Sequence, residues 1–223
     1  AQMQISNMGG ILFSAGAISG SKYTLKPNFG NKPVIFVSWF DSARFVNWLE
    51  NGKPDDGGGT EDGTYDLSLS IPTRNLSSSW SLPTEDEWYK AAYFKPNGSG
   101  YSLYANGQDT IPTADNGWNY SYGLYDTPWD VGTGTEEQNG TFDMMGNVFE
   151  WDETLFRGGS ECVIRGGSYY NQVGTLRTSN RSHSNEGSQS SGIGFRIASV
   201  PEPCSLVLLS LGGLARLKRR HNA

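Results

Sequence analysis

The chain has 223 residues, enough for one well-buried core and a small appendage. Apolar residues are only 36% and glycine is frequent at 29, so seven Trp, eleven Tyr and ten Phe must supply most of the buried area of a loop-rich domain, a composition unlike that of disordered chains. The formal net charge is −6, and without residues 200–223 the body carries 13 basic and 22 acidic residues, a field that excludes a nucleic-acid-binding role but suits calcium.

Cys162 and Cys204 lie in different regions and make no disulfide framework, so both are expected to be free. The chain begins at Ala1 without an export segment, as expected of a processed end or a fragment.

Residues 11–13 and 23–25 read as short strands between Gly and Ser turns. Pro33-Val34-Ile35-Phe36-Val37 is an apolar run that leads into a helix. Ser38 caps that helix with Asp41 at its third position, and Phe40, Ala43, Val46 and Leu49 recur at helical spacing before Asn51-Gly52 ends it. The Gly- and Asp-rich stretch 53–63 reads as a solvated loop.

A second helix opens at Thr84, with Glu87 completing a capping box and Trp88, Ala91 and Ala92 forming the buried face. Residues 97–142 show little periodicity, and a segment so long and irregular calls for something, such as a metal ion, to organise it. From Phe142 to Ala198 short β-like runs alternate with glycine turns.

After Val200-Pro201-Glu202-Pro203, an apolar block from Cys204 to Ala215 meets Arg216, Lys218, Arg219 and Arg220. The block is short for a membrane span, but its order matches a stop-transfer signal with a cytoplasmic basic end.

Five blocks occur in order: Pro33-Val34-x-x-Val37-Ser38-Trp39; Leu82-Pro83-Thr84-Glu85-x-Glu87-Trp88; Asp143 to Trp151; Arg165-Gly166-Gly167-Ser168; and Gly194-Phe195-Arg196. Together they resemble the sulfatase-modifying-factor family, whose best-known members are formylglycine-generating enzymes, with coverage over about 33–198. The resemblance implies an irregular α+β domain of the C-type-lectin type over residues 1–199, with two helices, small twisted antiparallel sheets and much loop. The remainder, 200–223, is similar to a PEP-CTERM sorting signal. It implies an exported, envelope-associated protein handled by exosortase-type machinery, with a C-terminal membrane segment before processing.

By the same resemblance, calcium takes the side chains of Asp143 and Glu150 and the carbonyls of Gly146 and Val148, with a second site near Asn119, Tyr120 and Asp126. Carboxylates mixed with carbonyls on a tight turn are what this hard cation needs. The alternative for Glu150 is a purely structural hydrogen-bonding role. Trp39, Trp88 and Trp151 read as core anchors, and Arg165 and Arg196 as partners of buried carboxylates or carbonyls.

The family's oxidases turn a substrate cysteine into formylglycine through two cysteines that bind copper(I), at the third and eighth positions after the Arg-Gly-Gly-Ser block. Here Asn171 and Leu176 stand there. Neither is a soft ligand for copper(I), so copper is not expected. His183, the one histidine before residue 200, has no catalytic partner evident in sequence.

The segment 169–191 is rich in Tyr, Ser, Asn and Arg, residue types that suit adaptable recognition. Ser168, Tyr169, Tyr170, Asn171, Arg177, Asn180 and Arg181 are the candidate ligand contacts, for an unidentified small molecule, glycan or protein. The leading reading is a non-catalytic ligand-binding or envelope protein. The alternative is an oxidase, or another family enzyme, with a divergent active site.

Overall fold

The computed structural model describes residues 2–5, 7–114, 117–121 and 127–199. Asp126 and the tail 200–223, with the sorting signal expected there, lie outside the described residues. A short helix α1 (Gln2–Ile5) precedes an antiparallel hairpin, β1 (Ile11–Phe13) and β2 (Tyr23–Leu25). Both strands fall where expected.

Helix α2 (Trp39–Glu50) starts on a full capping box between Ser38 and Asp41 and ends at Asn51. Its buried stripe is Trp39, Ala43 and Val46, with Asn47 as a polar member. The Asn47 amide is satisfied by the Thr60 and Tyr65 carbonyls and the Tyr65 amide, which ties the loop 53–65 to the helix. Strand β3 (Trp80–Ser81) leads into α3 (Glu85–Tyr93), whose Thr84–Glu87 capping box is likewise complete.

The main sheet joins β4 (Phe149–Leu155), β5 (Glu161–Arg165), β6 (Ser182–Asn185) and β7 (Ile193–Phe195) in the order β6-β5-β4-β7. Its β4–β7 pairing is parallel, so the sheet is mixed where an antiparallel one was expected. The final strand β8 (Ala198–Ser199) pairs with β3 and returns the chain to the start of α3.

The buried residues gather in two aromatic-rich clusters. One gathers Trp39, Tyr65, Leu82, Trp151, Cys162 and Ile164. The other gathers Trp88, Tyr93, Tyr104, Trp118, Met144, Met145 and Leu176. Indole N–H groups inside them find partners: Trp39 donates to the Asp152 carbonyl at 3.1 Å and Trp151 to the Val37 carbonyl at 3.0 Å. Truncating a buried indole of this kind costs about 3–5 kcal/mol. No helix among the described residues is long and apolar enough to cross a membrane.

Candidate functional site

Strand β5 ends at Arg165 and the chain turns through Gly166 and Gly167, with φ of +98° and +76°. A Cβ on Gly167 would lie 2.7 Å from Leu176 Cδ2, so only glycine lets the turn rest on that side chain. Asn171 Oδ1 accepts from the Ser168 amide at 3.0 Å and from its hydroxyl, while the Asn171 amide donates to the Ser168 carbonyl at 2.9 Å. Asn171 is therefore the lock of this turn.

A 3₁₀ turn over Val173–Leu176 then drives Leu176, 0% exposed, into the core beside Trp88 and Tyr93. The two positions at which the family resemblance leads one to expect copper(I) thiolates thus carry a turn-closing amide and a buried isobutyl group. Cys162 sits in the other core, 1% exposed, and burial pushes its thiol up to about 12. It is a packed thiol and not a nucleophile.

The candidate ligand contacts divide into two groups. Ser168 and Tyr169 are buried, and the Tyr169 hydroxyl reaches Ser191 Oγ at 3.3 Å. The Asn180 carbonyl accepts from Arg165. Tyr170 meets Tyr169 edge-on at 4.8 Å and packs on Gly192, where a Cβ would fall 2.3 Å from its hydroxyl. Arg177 is exposed, over the Tyr104 ring at 6.0 Å, and Arg181 is exposed, over the Phe156 ring at 4.9 Å. Arg177 and Arg181 are the exposed members of the set, while Tyr170, Asn171 and Asn180 are half-buried. Four clefts on the described surface are lined by residues outside 168–181.

Arg181 belongs to a charge cluster that sequence reading missed. Glu85, on the first turn of α3, pairs with Arg181 at 2.7 Å and lies 3.2 Å from Arg165 Nε. Asp152 on β4 is 0% exposed, and burial, followed by the nearby Glu85 charge, pushes its carboxyl up to about 9. One of its oxygens has no hydrogen-bond partner among the described residues. Alternation along β4 hid it, because Asp152 follows a core tryptophan as a solvent-facing acid normally would. His183 does have neighbours: Glu161 at 3.1 Å and a stacked Phe156 ring at 3.8 Å.

The Asp143–Glu150 block forms a strained loop, with Asp143 and Asn147 both at φ +61°. Gly146, at φ +92°, lets the loop press on Asn119, whose carbonyl would be 2.4 Å from a Cβ there. Glu150 is buried, and its carboxylate accepts from Trp88 Nε1 at 2.7 Å and from Arg196 through Nε and Nη2. Arg196 also donates to the Phe142 carbonyl at 3.0 Å. Arg196 therefore serves a buried carboxylate, while Arg165 serves the half-buried Glu85 and the Thr178 and Asn180 carbonyls.

Asp143, Asn147, Val148, Glu150 and Arg196 line one cleft of about 600 Å³. Asp143 is raised by burial, and so is Glu137, to about 7, with Arg196 opposing both shifts. Burial thus shifts two of the three carboxylates beside this guanidinium toward their neutral form, a shift that a cation bound here would oppose. The Glu137 Oε1 and Asn119 Oδ1 atoms are buried without hydrogen-bond partners among the described residues. Yet Glu150 is already held by Arg196, and no three His, Cys, Asp or Glu side chains among the described residues are placed to hold an ion together. The donors fit calcium in part: an ion here would take Asp143 and carbonyls, and would reach Glu150 only by displacing Arg196. At the second expected site, the Tyr120 hydroxyl is spent on the Pro112 carbonyl, leaving the Asn119 side-chain oxygen as its open donor atom.

An α+β, loop-rich domain with the Arg-Gly-Gly-Ser turn stacked on the Asp143–Glu150 loop defines a class, and the comparisons agree. Residues 17–200 match the family described as "Sulfatase-modifying factor enzyme 1-like domain". The chain belongs to that family. It is 29% identical over 142 residues to a formylglycine-generating enzyme of Thermomonospora curvata, covering 59% of this chain and 35% of that one. It is 26% identical over 182 residues to "Inactive C-alpha-formylglycine-generating enzyme 2" of Mus musculus, covering 75% and 49%. Among solved structures it is similar to variable protein 1 of Treponema denticola, with a TM-score of 0.60, 22% identity, and 85% and 75% coverage, a likeness of fold. The chain spans between about a third and half of the length of these curated relatives.

Proposed function

We propose that this chain is a non-oxidase member of its family that binds a ligand on the face carrying Tyr170, Arg177 and Arg181. The observation that carries the reading is the fate of the two cysteine positions: Asn171 closes a turn and Leu176 fills a core. The mouse relative, named as an inactive enzyme, supports the same direction. Export, a sorting role for residues 200–223 with exosortase-type machinery, and calcium at Asp143 and Glu150 belong to this proposal.

Copper(I) titration against a chromophoric chelator tests the first part. The expected result is no tight site; stoichiometric binding lost in Cys162→Ser would restore the oxidase reading. A ligand screen repeated with Tyr170→Ala and Arg181→Ala tests the second, and the proposal fails if neither change alters binding. Mass measurement of the protein recovered from the cell envelope tests processing of the tail.

A further inference from the structure

A cleft of about 440 Å³ lies between the N-terminal hairpin and the body, bordered by Tyr23, Phe36, Asp41, Phe45, Gln189 and Phe195 among others. Its volume is in the range of small-molecule sites. Four of these residues are aromatic. Phe45 and Phe195 meet at 5.5 Å with planes inclined by 66°, forming a corner, and the Tyr23 ring is backed by Phe13 at 5.0 Å. Phe36 has φ +57°, a left-handed conformation that is costly for a bulky side chain and tends to persist where function holds it.

Asp41 is the one charged residue of the lining. Its Oδ2 accepts from Ser38 and from Gln189 Nε2 at 3.1 Å, and 37% of the side chain stays exposed. Arg44 approaches to 3.6 Å but is held bidentately by Glu61 at 2.6 and 3.2 Å, so the group retains a net negative charge. Aromatic faces present their negative quadrupole to a cation, and an adjacent carboxylate adds to that attraction. A hydrated metal ion finds too few oxygens here, and an anion is repelled.

We infer that this cleft binds an organic cation of the quaternary-ammonium class, with methyl groups against Tyr23, Phe36, Phe45 and Phe195 and charge facing Asp41. The site goes beyond the face at Tyr170, Arg177 and Arg181 and stands without it.

Isothermal titration of the full chain with choline, and with its neutral isostere 3,3-dimethylbutan-1-ol, tests it. Choline is expected to bind, with the isostere at least about fivefold weaker. Asp41→Asn, which keeps an acceptor for the helix cap, and Phe45→Leu and Tyr23→Ala, at 40% and 62% exposed positions, should each weaken choline by at least about fivefold. Circular dichroism of each variant checks that it is folded, and the two aromatic variants decide if the cap variant is not. The inference is overturned if choline does not bind at millimolar concentration. It is equally overturned if the isostere binds as well, or if the aromatic variants leave affinity unchanged. Arg181→Ala should leave choline binding intact, which separates this site from the proposed binding face.

Discussion

The Gly146 amide donates to the Gly166 carbonyl across 2.9 Å, clasping the loop before β4 to the turn after β5. The Tyr169 amide returns the contact to the Asn147 carbonyl at 2.8 Å. Two motifs about twenty residues apart in sequence are thus one piece of backbone architecture. Their glycines are needed because each faces an atom where a Cβ would collide: Asn119 carbonyl at Gly146 and Leu176 at Gly167.

Gly167→Ala should therefore destabilise the fold by about 2–4 kcal/mol, since left-handed strain and a clash act together. Gly174→Ala, with open space around it, should change stability by less than about 1 kcal/mol. Urea unfolding monitored by tryptophan fluorescence compares them, and equal effects would contradict the account.

Asp152 controls a pH dependence. Its folded pKa, about 9, lies above the ordinary 3.8, so the folded state holds a proton that the unfolded state releases between these values. Its contribution is complete below the unfolded pKa and is lost as pH rises through the folded one. Asp152→Asn should raise Tm by several degrees near pH 8 and by little near pH 4. A gain independent of pH would place the effect in packing instead.

For calcium, addition after chelation should raise Tm in the wild-type chain and not in Asp143→Ala. Because Arg196 occupies Glu150, Arg196→Gln should strengthen the calcium response by freeing that carboxylate. An unchanged wild-type melting curve would remove calcium from the proposal.

Cys162 should be inert to a thiol reagent in the native protein. In a Cys204→Ser chain, a disulfide chromogen at pH 8 is expected to give no reaction until guanidinium is added, because burial opposes thiolate formation. Fast native labelling would mean that the strand opens.

Both long helices were legible in sequence because a capping box is local: Ser38 with Asp41, and Thr84 with Glu87, lie within one turn of each other. The tryptophan anchors were legible for a similar reason, since a domain poor in aliphatics must bury its large rings. The parallel β4–β7 pair was not, because a parallel partner arrives through a long connection that leaves no local signature. The candidate ligand segment was legible only as a composition. Packing then sorted it, turning Tyr169 inward while Arg177 and Arg181 stayed outside.

The sequence by itself determined the family and the α+β character, and it put Asn171 and Leu176 where the family resemblance leads one to expect thiolates, because these reside in residue identities and short spacings. Tertiary structure alone decided what replaced them. Asn171 became a lock and Leu176 a core residue, burial raised the Asp152 carboxyl, and Tyr23, Phe36, Phe45 and Phe195 came to line one cleft with Asp41. Each of those outcomes depends on burial or on partners distant in the chain, and both arise only when the chain folds.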